Sequence, residues 1–507
     1  MNLKQMLEKT VRQYGEKTAI ASGDHRLSYA ELDEASNKVA NALLKFGVSK
    51  GNRVTMLLPN SLEFVTTYFG IVKIGAVAVP LDVRFKMAEL TSLFDNSQPK
   101  VLVSESPTLE PIVPALPTFK SIEHVIDISA KYEGQFLSYS QIMATGSPQR
   151  IEAEPEPEDI AQINYTSGPT IQPRGVMMSH QSLVTEAVIS ADGFQQTNKD
   201  IAVLFALPMH HAFGLVVVLL AAIYKGSTVV MVPGVSISNL LEAIEREKGT
   251  ILNGVPFIYH LLVNMAEAEG VKPDLSCLRL CGSAGAAASI DIMERFKKHY
   301  GLNIIQFWGM TESMAHVTCQ PPDGTGKPGS AGKALPGWEL KIVDDNGNEL
   351  PPNEPGEMIV RGPIMKGYYN HPQATAEAIK GGWLYTGDIG RVDEDGYLFI
   401  LASRKKEMII VKGQNVYPSD IEAVLYTHPK VAEAAVIGAS DEIRGETVRA
   451  IISLKRGEVA TEPEIKRFCR EYMADYKVPR QIIFMDSLPK TATGKIHKED
   501  LKDCLPA

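Results

Sequence analysis

The sequence predicts an α/β fold with more than one domain. The chain has 507 residues, which exceeds one ordinary hydrophobic core. Short apolar runs alternate with segments of helical periodicity, as in sheets covered by helices. After Trp338 the pattern changes to short strands separated by tight turns. We therefore expect a large N-terminal domain of helix-covered sheets with a small β-barrel-like subdomain, followed by a small α+β C-terminal domain.

The elements can be assigned in chain order. Leu3, Met6, Leu7 and Val11 recur at helical spacing among charged residues, which predicts an amphipathic helix rather than a signal sequence. Two further helices are predicted at Leu32–Leu44 and Phe64–Ile74. The predicted strands are Val54–Leu58, Ala76–Val79, Ile201–Pro208, Thr228–Pro233, Thr250–Pro256, Leu278–Gly282, Ile304–Gly309, Glu339–Val343, Glu357–Val360 and Gly396–Leu401.

Composition and charge exclude several classes of protein. Hydrophobic residues make up 44% and charged residues 22% of the chain, as in a globular protein. The net charge is −9 without a long basic run, which argues against nucleic acid as the main partner. The longest aliphatic run, Leu215–Ile223, is shorter than the roughly 20 residues that span a bilayer. It predicts a buried helix and no membrane span.

The five cysteines, at positions 277, 281, 319, 469 and 504, form no Cys-x2-Cys pair and have no His-rich cluster beside them. A zinc site is therefore not expected. Such a sparse, odd-numbered set is typical of a protein in a reducing cytoplasm.

The segment Tyr165–Val176 is a candidate anion site. It reads Tyr-Thr-Ser-Gly-Pro-Thr-Ile-Gln-Pro-Arg-Gly-Val, which combines hydroxyls, glycines and a cation in one loop. Such donors can surround a phosphate group. A solvated turn has a similar composition, and the Walker spacing Gly-x4-Gly-Lys-Ser/Thr is absent. The segment alone leaves both interpretations open.

This segment resembles the phosphate loop of adenylate-forming enzymes, the superfamily of acyl-CoA synthetases, luciferases and peptide-synthetase adenylation domains. Their usual form is Tyr-Thr-Ser-Gly-Thr-Thr-Gly-x-Pro-Lys-Gly-Val. The resemblance implies ATP-phosphate contacts from Thr166, Ser167, Gly168, Thr170 and Arg174. Three residues depart from that form, namely Pro169, Ile171 and Arg174. They remove a backbone donor, disfavour positive φ and change the donor geometry, so we expect weaker binding of the triphosphate.

A second motif, Asn303–Met314, is an apolar strand that ends in aromatic-Gly-x-Thr-Glu. Open α/β sheets bind ligands at the carboxyl ends of their strands. The motif resembles the family's Tyr-Gly-x-Thr-Glu, which implies Thr311 near the α-phosphate and a Mg²⁺ ion held by Glu312 and Thr166. The residues implied to contact the nucleotide here are Phe307, Trp308, which lies against the adenine, and Gly309.

Two shorter motifs complete the implied nucleotide site. Cys281–Ala286 reads Cys-Gly-Ser-Ala-Gly-Ala, where the family has Ser-Gly-Ala-Ala-Pro. This small-residue run allows a flat base to approach, and the resemblance implies contacts from Ser283, Ala284 and Gly285. Tyr385–Asp388 reads Tyr-Thr-Gly-Asp, a sequence common in plain turns. In the family this acid binds the ribose hydroxyls, which implies that role for Asp388 with support from Arg404.

A charged segment, Ser403–Glu407, separates two apolar runs and by composition is a polar turn. The family has its hinge at this position, which implies Lys406 as the pivot. The predicted domains are therefore 1–402, with its β-rich subdomain at 338–402, the hinge at 403–407, and a mobile C-terminal domain at 408–507.

Near the C-terminus, Pro489–Lys498 reads Pro-Lys-Thr-Ala-Thr-Gly-Lys-Ile-His-Lys. Such a loop is often merely solvated, but it resembles the family's Pro-Lys-Thr-x-x-Gly-Lys-Ile-x-Arg, which implies Lys495 as the catalytic lysine. A carboxylate would attack the α-phosphate of ATP while Lys495 and Mg²⁺ stabilise the charge. The C-terminal domain would then swing to admit a thiol. Val411–Pro418 resembles the loop that lines the thiol tunnel, which implies Gly413 beside the pantetheine of coenzyme A.

Residues that shape the acid pocket are implied by Pro208–Gly214, which resembles the family's Pro-Leu/Met-Phe-His-x-x-Gly. His211 would gate the pocket, although a histidine among apolar residues is more often part of a core. No acid replaces it as in peptide-synthetase domains, so an amino-acid substrate is disfavoured. Gly309 stands where acetate-activating relatives have tryptophan, which predicts a larger acid. The expected lining is Val216, Val217, Phe307, Met314 and Ala284.

We therefore predict an AMP-forming ligase that joins a medium-chain, cyclic or aromatic carboxylic acid to coenzyme A, with ATP and Mg²⁺. We expect a cytoplasmic enzyme and leave both a monomer and a homodimer open. Three alternatives are a ligase that loads a carrier protein, a luciferase-like oxygenase, and a relative that has lost adenylation through Pro169 and Ile171.

Overall fold

The computed structural model of the chain describes residues 1–129, 131–132, 134–166, 173–268, 273–285, 288, 290–403, 409–416, 418–441, 445–455, 457–489, 498 and 501. Contacts divide the chain into two compact units. The first unit is Met1–Val83, Ser97–Thr166 and Gly175–Ala402. The second consists of the described parts of Arg84–Asn96, Ser167–Arg174 and Ser403–Ala507.

The strands, numbered in chain order, are β1 Thr18–Ser22, β2 His25–Ser28, β3 Arg53–Leu57, β4 Val77–Pro80, β5 Val101–Ser104, β6 His124–Asp127, β7 Leu137–Ser138, β8 Ile160–Tyr165, β9 Gly175–Ser179, β10 Ile201–Leu204, β11 Thr228–Met231, β12 Ile251–Gly254, β13 Leu280–Ser283, β14 Ile304–Trp308, β15 Thr318–Cys319, β16 Lys333–Ala334, β17 Glu339–Val343, β18 Gly356–Arg361, β19 Gly367–Tyr368, β20 Ile379–Lys380, β21 Trp383–Val392, β22 Leu398–Ser403, β23 Ile409–Val411, β24 Gln414–Val416, β25 Val431–Asp441, β26 Gly445–Leu454 and β27 Gln481–Phe484.

The α-helices are α1 Leu3–Tyr14, α2 Tyr29–Lys45, α3 Leu62–Lys73, α4 Met87–Ser97, α5 Ser106–Leu109, α6 Tyr139–Thr145, α7 His180–Gly193, α8 Ala221–Lys225, α9 Ile237–Glu247, α10 Pro256–Ala268, α11 Ile290–Tyr300, α12 Pro372–Ala378, α13 Pro418–Thr427 and α14 Glu462–Tyr472. A π-helix occupies Phe213–Leu220, and 3₁₀ turns occur at Val113–Thr118, Thr311–Ser313 and Asp475–Lys477.

A nine-stranded sheet in the first unit has the order β16-β15-β14-β13-β12-β10-β11-β1-β2. Its central strands, from β14 to β1, are parallel, and the strands outside them pair antiparallel. These central strands are buried and mostly apolar, as expected for parallel strands covered on both faces. The carboxyl ends of β10, β12, β13 and β14 therefore meet at one edge of the sheet.

An eight-stranded sheet in the same unit has the order β19-β9-β8-β4-β3-β5-β6-β7. Strands from β8 to β7 are parallel, whereas β9 runs antiparallel to β8 and β19 antiparallel to β9. The predicted phosphate loop lies between β8 and β9, because Tyr165 pairs with Gly175 across the two strands.

The three predicted N-terminal helices are confirmed as α1, α2 and α3. Ser28 and Ser61 begin α2 and α3, where each side-chain oxygen accepts a backbone N–H of the first turn. Gly70 of α3 faces α2, and a Cβ there would lie 2.7 Å from Cβ of Val39. The glycine therefore allows the two helices to pack closely.

The β-rich segment after Trp338 forms a five-stranded sheet, β17-β18-β21-β20, with β22 paired to β21. The run Leu215–Ile223 is buried, as the sequence predicts, but much of it is a π-helix followed by α8. Within the described part of the chain, every helix is too short or too polar to cross a bilayer.

The second unit has a sheet of order β24-β23-β26-β25, with β27 parallel to β26, and its own apolar core. It confirms the predicted α+β domain near the C-terminus. The unit also includes Arg84–Asn96, a segment that the sequence analysis assigns to the large domain. There, Glu89 and Lys477 form a buried ion pair, with Oε1 and Nζ 2.9 Å apart.

Candidate active site

The described residues of the predicted site in the first unit lie mainly at carboxyl ends of parallel strands. Thr166 follows β8, Ser283 ends β13, and Trp308 ends β14. His211 lies in the connection that follows β10. Open α/β sheets bind ligands along such edges, because the loops that leave neighbouring strands meet there.

Glu312 is held in place by its backbone and its side chain. It sits in the 3₁₀ turn Thr311–Ser313 directly after β14 and is 4% exposed. The N–H of Met365 donates to the carbonyl of Glu312 at 2.8 Å, and the hydroxyl of Tyr368 donates to its Oε1 at 2.8 Å. The carboxylate is therefore fixed before any ligand binds.

Tyr368 connects the two large sheets of the first unit. It lies on β19 opposite Val176 of β9, and β9 pairs with β8, which leads to Thr166. Its hydroxyl binds Glu312, which follows β14 of the other sheet. The strand pair that flanks the predicted phosphate loop is thus tied to the predicted metal ligand. Sequence reasoning missed Tyr368, because no spacing along the chain relates it to Glu312.

The turn after Glu312 has an unusual backbone. Met314 and Ala315 have φ angles of 56° and 90°, which non-glycine residues rarely adopt. This turn carries the Ala315 carbonyl against Gly309, where a Cβ would lie 2.2 Å from that carbonyl group. Gly309 therefore permits the close approach of two backbone segments. The sequence analysis assigned the space beside Gly309 to the acid pocket. In the direction that a side chain at this position would take, the backbone of Ala315 fills that space.

An aromatic group lies beside this turn. The Phe307 ring meets Phe213 and Phe194 edge-on, with centroids 5.1 and 5.3 Å away, and lies 4.6 Å from the His316 ring. Phe213 belongs to the Pro208–Gly214 segment that carries His211. Four other predicted lining residues are buried, namely Val216, Val217, Met314 and Ala284.

Two asparagine side chains, near the carboxyl ends of β3 and β8, hold the segment Pro208–Gly214 in place by hydrogen bonds. Asn60 donates to Leu207 O at 2.8 Å and accepts from Met209 N–H at 2.7 Å. Asn164 donates to His210 O at 3.1 Å. These two asparagines were also missed, although their position near the carboxyl ends of β3 and β8 was a usable signal.

His210, the neighbour of the predicted gate, is close to a buried acid. Its Nε2 lies 3.4 Å from Oδ2 of Asp82, which follows β4 and is 2% exposed. The rings of His210 and His211 lie 4.6 Å apart. His210 thus lies next to both the buried acid and the predicted gate His211.

The predicted ribose ligand Asp388 lies on β21 and is half-buried. Its N–H donates to Thr386 Oγ1 at 3.1 Å, and the preceding Gly387 has φ 76° and donates to Glu357 Oε1 at 3.0 Å. The hydroxyl of Thr386 in turn donates to Met358 O at 2.7 Å. A positive φ and three hydrogen bonds therefore fix the turn that presents the carboxylate.

The base-contact segment is equally constrained. Ser283 is 1% exposed, Ala284 donates its N–H to Gly254 O at 3.2 Å, and Gly285 has φ 81° and is exposed.

In the second unit, Arg174 is exposed, and Gly413 has φ 75° in the turn between β23 and β24. The predicted residues Ser167, Gly168, Thr170, Arg404, Lys406 and Lys495 lie outside the described residues.

No three His, Cys, Asp or Glu side chains within the described ranges converge into a metal-binding group. Glu312 with Thr166 could still hold a Mg²⁺ ion, because this cation usually takes one or two protein ligands and fills its shell with phosphate oxygens and water. Oε1 of Glu312 accepts from a neutral hydroxyl, which leaves the carboxylate charge available. The residues present therefore fit this metal.

A buried polar cluster lies beneath the site. Glu186 of α7 accepts the indole N–H of Trp338 at 2.9 Å, and burial raises the pKa of this carboxyl well above its usual range. His316 shares a hydrogen bond of 3.1 Å with Ser190 of α7, and burial lowers its pKa to about 3. His316 is therefore neutral at pH 7, and Glu186 binds its proton more tightly than an exposed carboxyl group does.

Residues 7–369 match the AMP-binding enzyme family, and residues 420–495 match the AMP-binding enzyme C-terminal domain. The long-chain-fatty-acid–CoA ligase of Bacillus subtilis (strain 168) is 32% identical, over 98% of this chain and 94% of its own. The indoleacetate–CoA ligase of Aromatoleum aromaticum is 34% identical, over 99% and 98%. The structure of o-succinylbenzoate CoA synthetase from Bacillus subtilis, bound with its product analogue, has a TM-score of 0.86 at 30% identity and covers 99% and 98%.

Proposed function

This chain belongs to the AMP-binding enzyme family and is an AMP-forming ligase that joins acyl or aryl acids to coenzyme A, and from this premise we propose that its acid is medium-chain, cyclic or aromatic. The observation that carries the proposal is the aromatic group around Phe307. One ring edge-on to another forms an apolar wall suited to a ring or a chain of several carbons. This wall links the strand that leads to Glu312 with the segment that holds His211.

Two half-reactions make the product. First, a carboxylate oxygen of the acid attacks the α-phosphorus of ATP, the bond from this phosphorus to the bridging oxygen breaks, and pyrophosphate leaves. Second, the thiolate of coenzyme A attacks the acyl carbon, the bond from this carbon to the phosphate oxygen breaks, and AMP leaves. Negative charge grows on phosphate oxygens in the first step, so fixed donors and cations are effective there.

The proposed roles of the residues are those that the family resemblance implies. Thr311 would donate to the α-phosphate, Asp388 would accept from the ribose hydroxyls, and His211 would close the acid pocket beside Phe213. The proposed phosphate ligands are Thr166, Ser167, Gly168, Thr170 and Arg174, and the proposed contacts to the base are Ser283, Ala284, Gly285, Phe307, Trp308 and Gly309. Arg404, Lys406, Gly413 and Lys495 keep the roles implied by resemblance.

Glu312 and Thr166 would hold Mg²⁺. When bound, this ion would neutralise negative charge that develops on the phosphate oxygens. Glu312 needs no reorganisation to receive it, because Tyr368 and Met365 already orient the residue. We propose the cytoplasm as the compartment of this activity, and a homodimer stays a prediction.

A panel of acids tests the proposed substrate class. We expect faster pyrophosphate release with hexanoate, cyclohexanecarboxylate or benzoate than with acetate, because only the larger acids reach the aromatic wall. The assay contains ATP, Mg²⁺ and coenzyme A, and AMP is followed in parallel. Preference for acetate would contradict the proposal. Omission of coenzyme A distinguishes adenylate formation from thioester formation.

The proposed role of Lys495 has its own test. Lys495→Ala should lower adenylation by a factor on the order of 10²–10³, because a cation that stabilises the transition state is lost. Thioester formation from a supplied acyl adenylate should be retained. Lys498→Ala, three residues away, serves as the charge-matched control. Equal loss of both half-reactions in Lys495→Ala would contradict the assignment.

A further inference from the structure

A buried amide on β12 lacks a hydrogen-bond partner. Asn253 is 2% exposed, and its Oδ1 accepts no hydrogen bond from the residues that the structure describes. A buried polar atom left unpaired costs roughly 1–3 kcal/mol, so most such atoms in folded proteins are satisfied. Central strands of parallel sheets are also usually apolar. An asparagine at this position therefore needs an explanation.

The position of Asn253 in the sheet places it at the ligand edge. β12 is a central strand, and Asn253 is its penultimate residue, paired with Leu204 of β10 and Gly282 of β13. The residue therefore lies one position before the carboxyl end of β12. This is the edge that also carries Ser283 and Trp308.

The amide oxygen shares a small space with Phe307. A Cβ built on Gly282 would lie 2.1 Å from Asn253 Oδ1 and 3.2 Å from Phe307 Cε1. Both atoms therefore face the same point above Gly282, on the face of the sheet where Phe213 packs against Phe307. The glycine leaves room there for the Asn253 amide, which lies against the Phe307 ring. An acceptor thus lies at the base of the aromatic wall.

We propose that Asn253 is a specificity-determining residue that binds a hydroxyl group on the ring of the acid. This inference rests on the proposed function, because it requires an aromatic or cyclic acid against Phe307. A hydroxyl fits the amide in either orientation, since it can donate to the oxygen or accept from the nitrogen. The preferred substrates would then be hydroxylated aromatic or cyclic acids rather than plain hydrocarbon acids.

Matched acid pairs test this inference. For wild-type enzyme, kcat/KM should be about ten- to a hundredfold higher for the better of 3- and 4-hydroxybenzoate than for benzoate, because the hydroxyl satisfies the buried amide. The same comparison applies to cyclohexanecarboxylate and its 4-hydroxy derivative. Asn253→Leu, a change of similar size, should abolish the preference and retain turnover of the unsubstituted acid.

Thr67→Val is the matched control. Thr67 of α3 is also buried, and its Oγ1 also lacks a partner among the described residues, but it lies outside the proposed site. This variant should keep the hydroxyl preference of wild type. If Asn253→Leu fails to fold, Asn253→Ala provides the same comparison, because it removes the amide without adding bulk.

The outcomes separate this inference from the proposed function. Turnover of aromatic acids without a hydroxyl preference, or with a preference that Asn253→Leu keeps, would overturn the inference and leave the proposed function standing. Such a result would mean that a buried water satisfies the amide. Turnover of acetate alone would overturn both. A preference lost in Asn253→Leu and kept in Thr67→Val would support the inference.

Discussion

Glu186 accepts a hydrogen bond in the core, but its burial disfavours the charged form of its carboxyl group. It is fully buried on α7, and the indole N–H of Trp338 donates to its carboxyl group. Because burial raises its pKa well above the usual range, the folded state keeps the proton to a higher pH than the unfolded state does. The folded state therefore loses stability as the pH rises above the unfolded pKa.

Glu186→Gln should therefore increase the free energy of unfolding at pH 7 by about 1 kcal/mol, because the amide keeps an acceptor for Trp338 without a titrating proton. Urea denaturation at pH 5 and pH 8 measures the change, which should be larger at pH 8. Glu186→Ala is the control and should be destabilising, because it leaves the indole N–H unpaired. Equal destabilisation by both variants would contradict this account.

Tyr368 is the second residue whose role can be tested alone. Tyr368→Phe removes the hydrogen bond to Glu312 Oε1, so the carboxylate is less well oriented for Mg²⁺. We expect adenylation to fall by about tenfold and the Mg²⁺ concentration for half-maximal rate to rise. ATP–pyrophosphate exchange across a Mg²⁺ series measures both.

The adjacent tyrosine provides the control for that variant. Tyr369 lines a groove with Lys50 and Arg53, and its N–H donates to Gly175 O at 2.7 Å, a bond that Tyr369→Phe keeps. Tyr369→Phe should leave the Mg²⁺ dependence unchanged. A purely structural role of Tyr368 predicts lower stability with no shift in that dependence, which would refute the positioning role.

At the level of elements, the turn between β14 and β15 has little freedom to change. Two consecutive non-glycine residues, Met314 and Ala315, have positive φ, and each such residue costs of order 1 kcal/mol or more. The surrounding contacts must offset this cost. One of them is the backbone hydrogen bond from Ala315 N–H to Met310 O at 2.9 Å.

Gly309→Ala should disrupt this turn, since its Cβ would lie 2.2 Å from the Ala315 carbonyl. We expect a loss of about 1–3 kcal/mol of stability and a loss of adenylation in the folded fraction. Thermal unfolding and pyrophosphate exchange at low temperature measure the two effects. Gly70→Ala is the control, because it crowds Val39 between α2 and α3 and should lower stability without lowering kcat of the folded enzyme.

The strands and helices were predictable where local patterns determine them. Leu32–Leu44 and Phe64–Ile74 have the helical spacing of α2 and α3, and Ile304–Gly309 contains β14. The residues that form hydrogen bonds to the site residues were not predictable from one sequence. Tyr368 reaches Glu312 only because β19 pairs with β9, and strand register is set by the whole sheet.

The same limit applies to the motifs. Thr311 and Glu312 stand out because they share a motif with Trp308, and the structure places all three around the end of β14. Asn60 and Asn164 belong to no motif, yet they fix the segment that carries His211 through backbone hydrogen bonds. The π-helix at Phe213–Leu220 also had no signal, because a fully apolar run has the same pattern in an α-helix.

For the molecule as a whole, two buried neutral histidines favour unfolding in acid. His180 of α7 accepts the N–H of Leu3 on Nδ1 at 3.3 Å, and burial lowers its pKa to about 4. The pKa of His316 is about 3 for the same reason. In the unfolded chain both would titrate near pH 6.5. Between that pH and about 4 the unfolded state binds more protons, so stability falls on acidification.

We therefore expect each histidine to lower the free energy of unfolding by about 2 kcal/mol between pH 6.5 and pH 5, a loss that the raised pKa of Glu186 partly offsets. Urea denaturation at half-unit pH steps measures the slope. His180→Gln should reduce this slope, because the amide does not titrate, while it costs some stability at pH 7. A slope equal to that of wild type would rule out His180 as a source of acid sensitivity.

The π-helix at Phe213–Leu220 has a consequence for how the enzyme can diversify. A π-helix is wound with more residues per turn than an α-helix, so loss of a residue can be absorbed by tighter winding. One deleted codon would rotate the side chains on one side of the cut by about 100° relative to those on the other. Phe213, Val216 and Val217 would then present different surfaces, and a new acid preference could arise in a single evolutionary step without rebuilding the sheets.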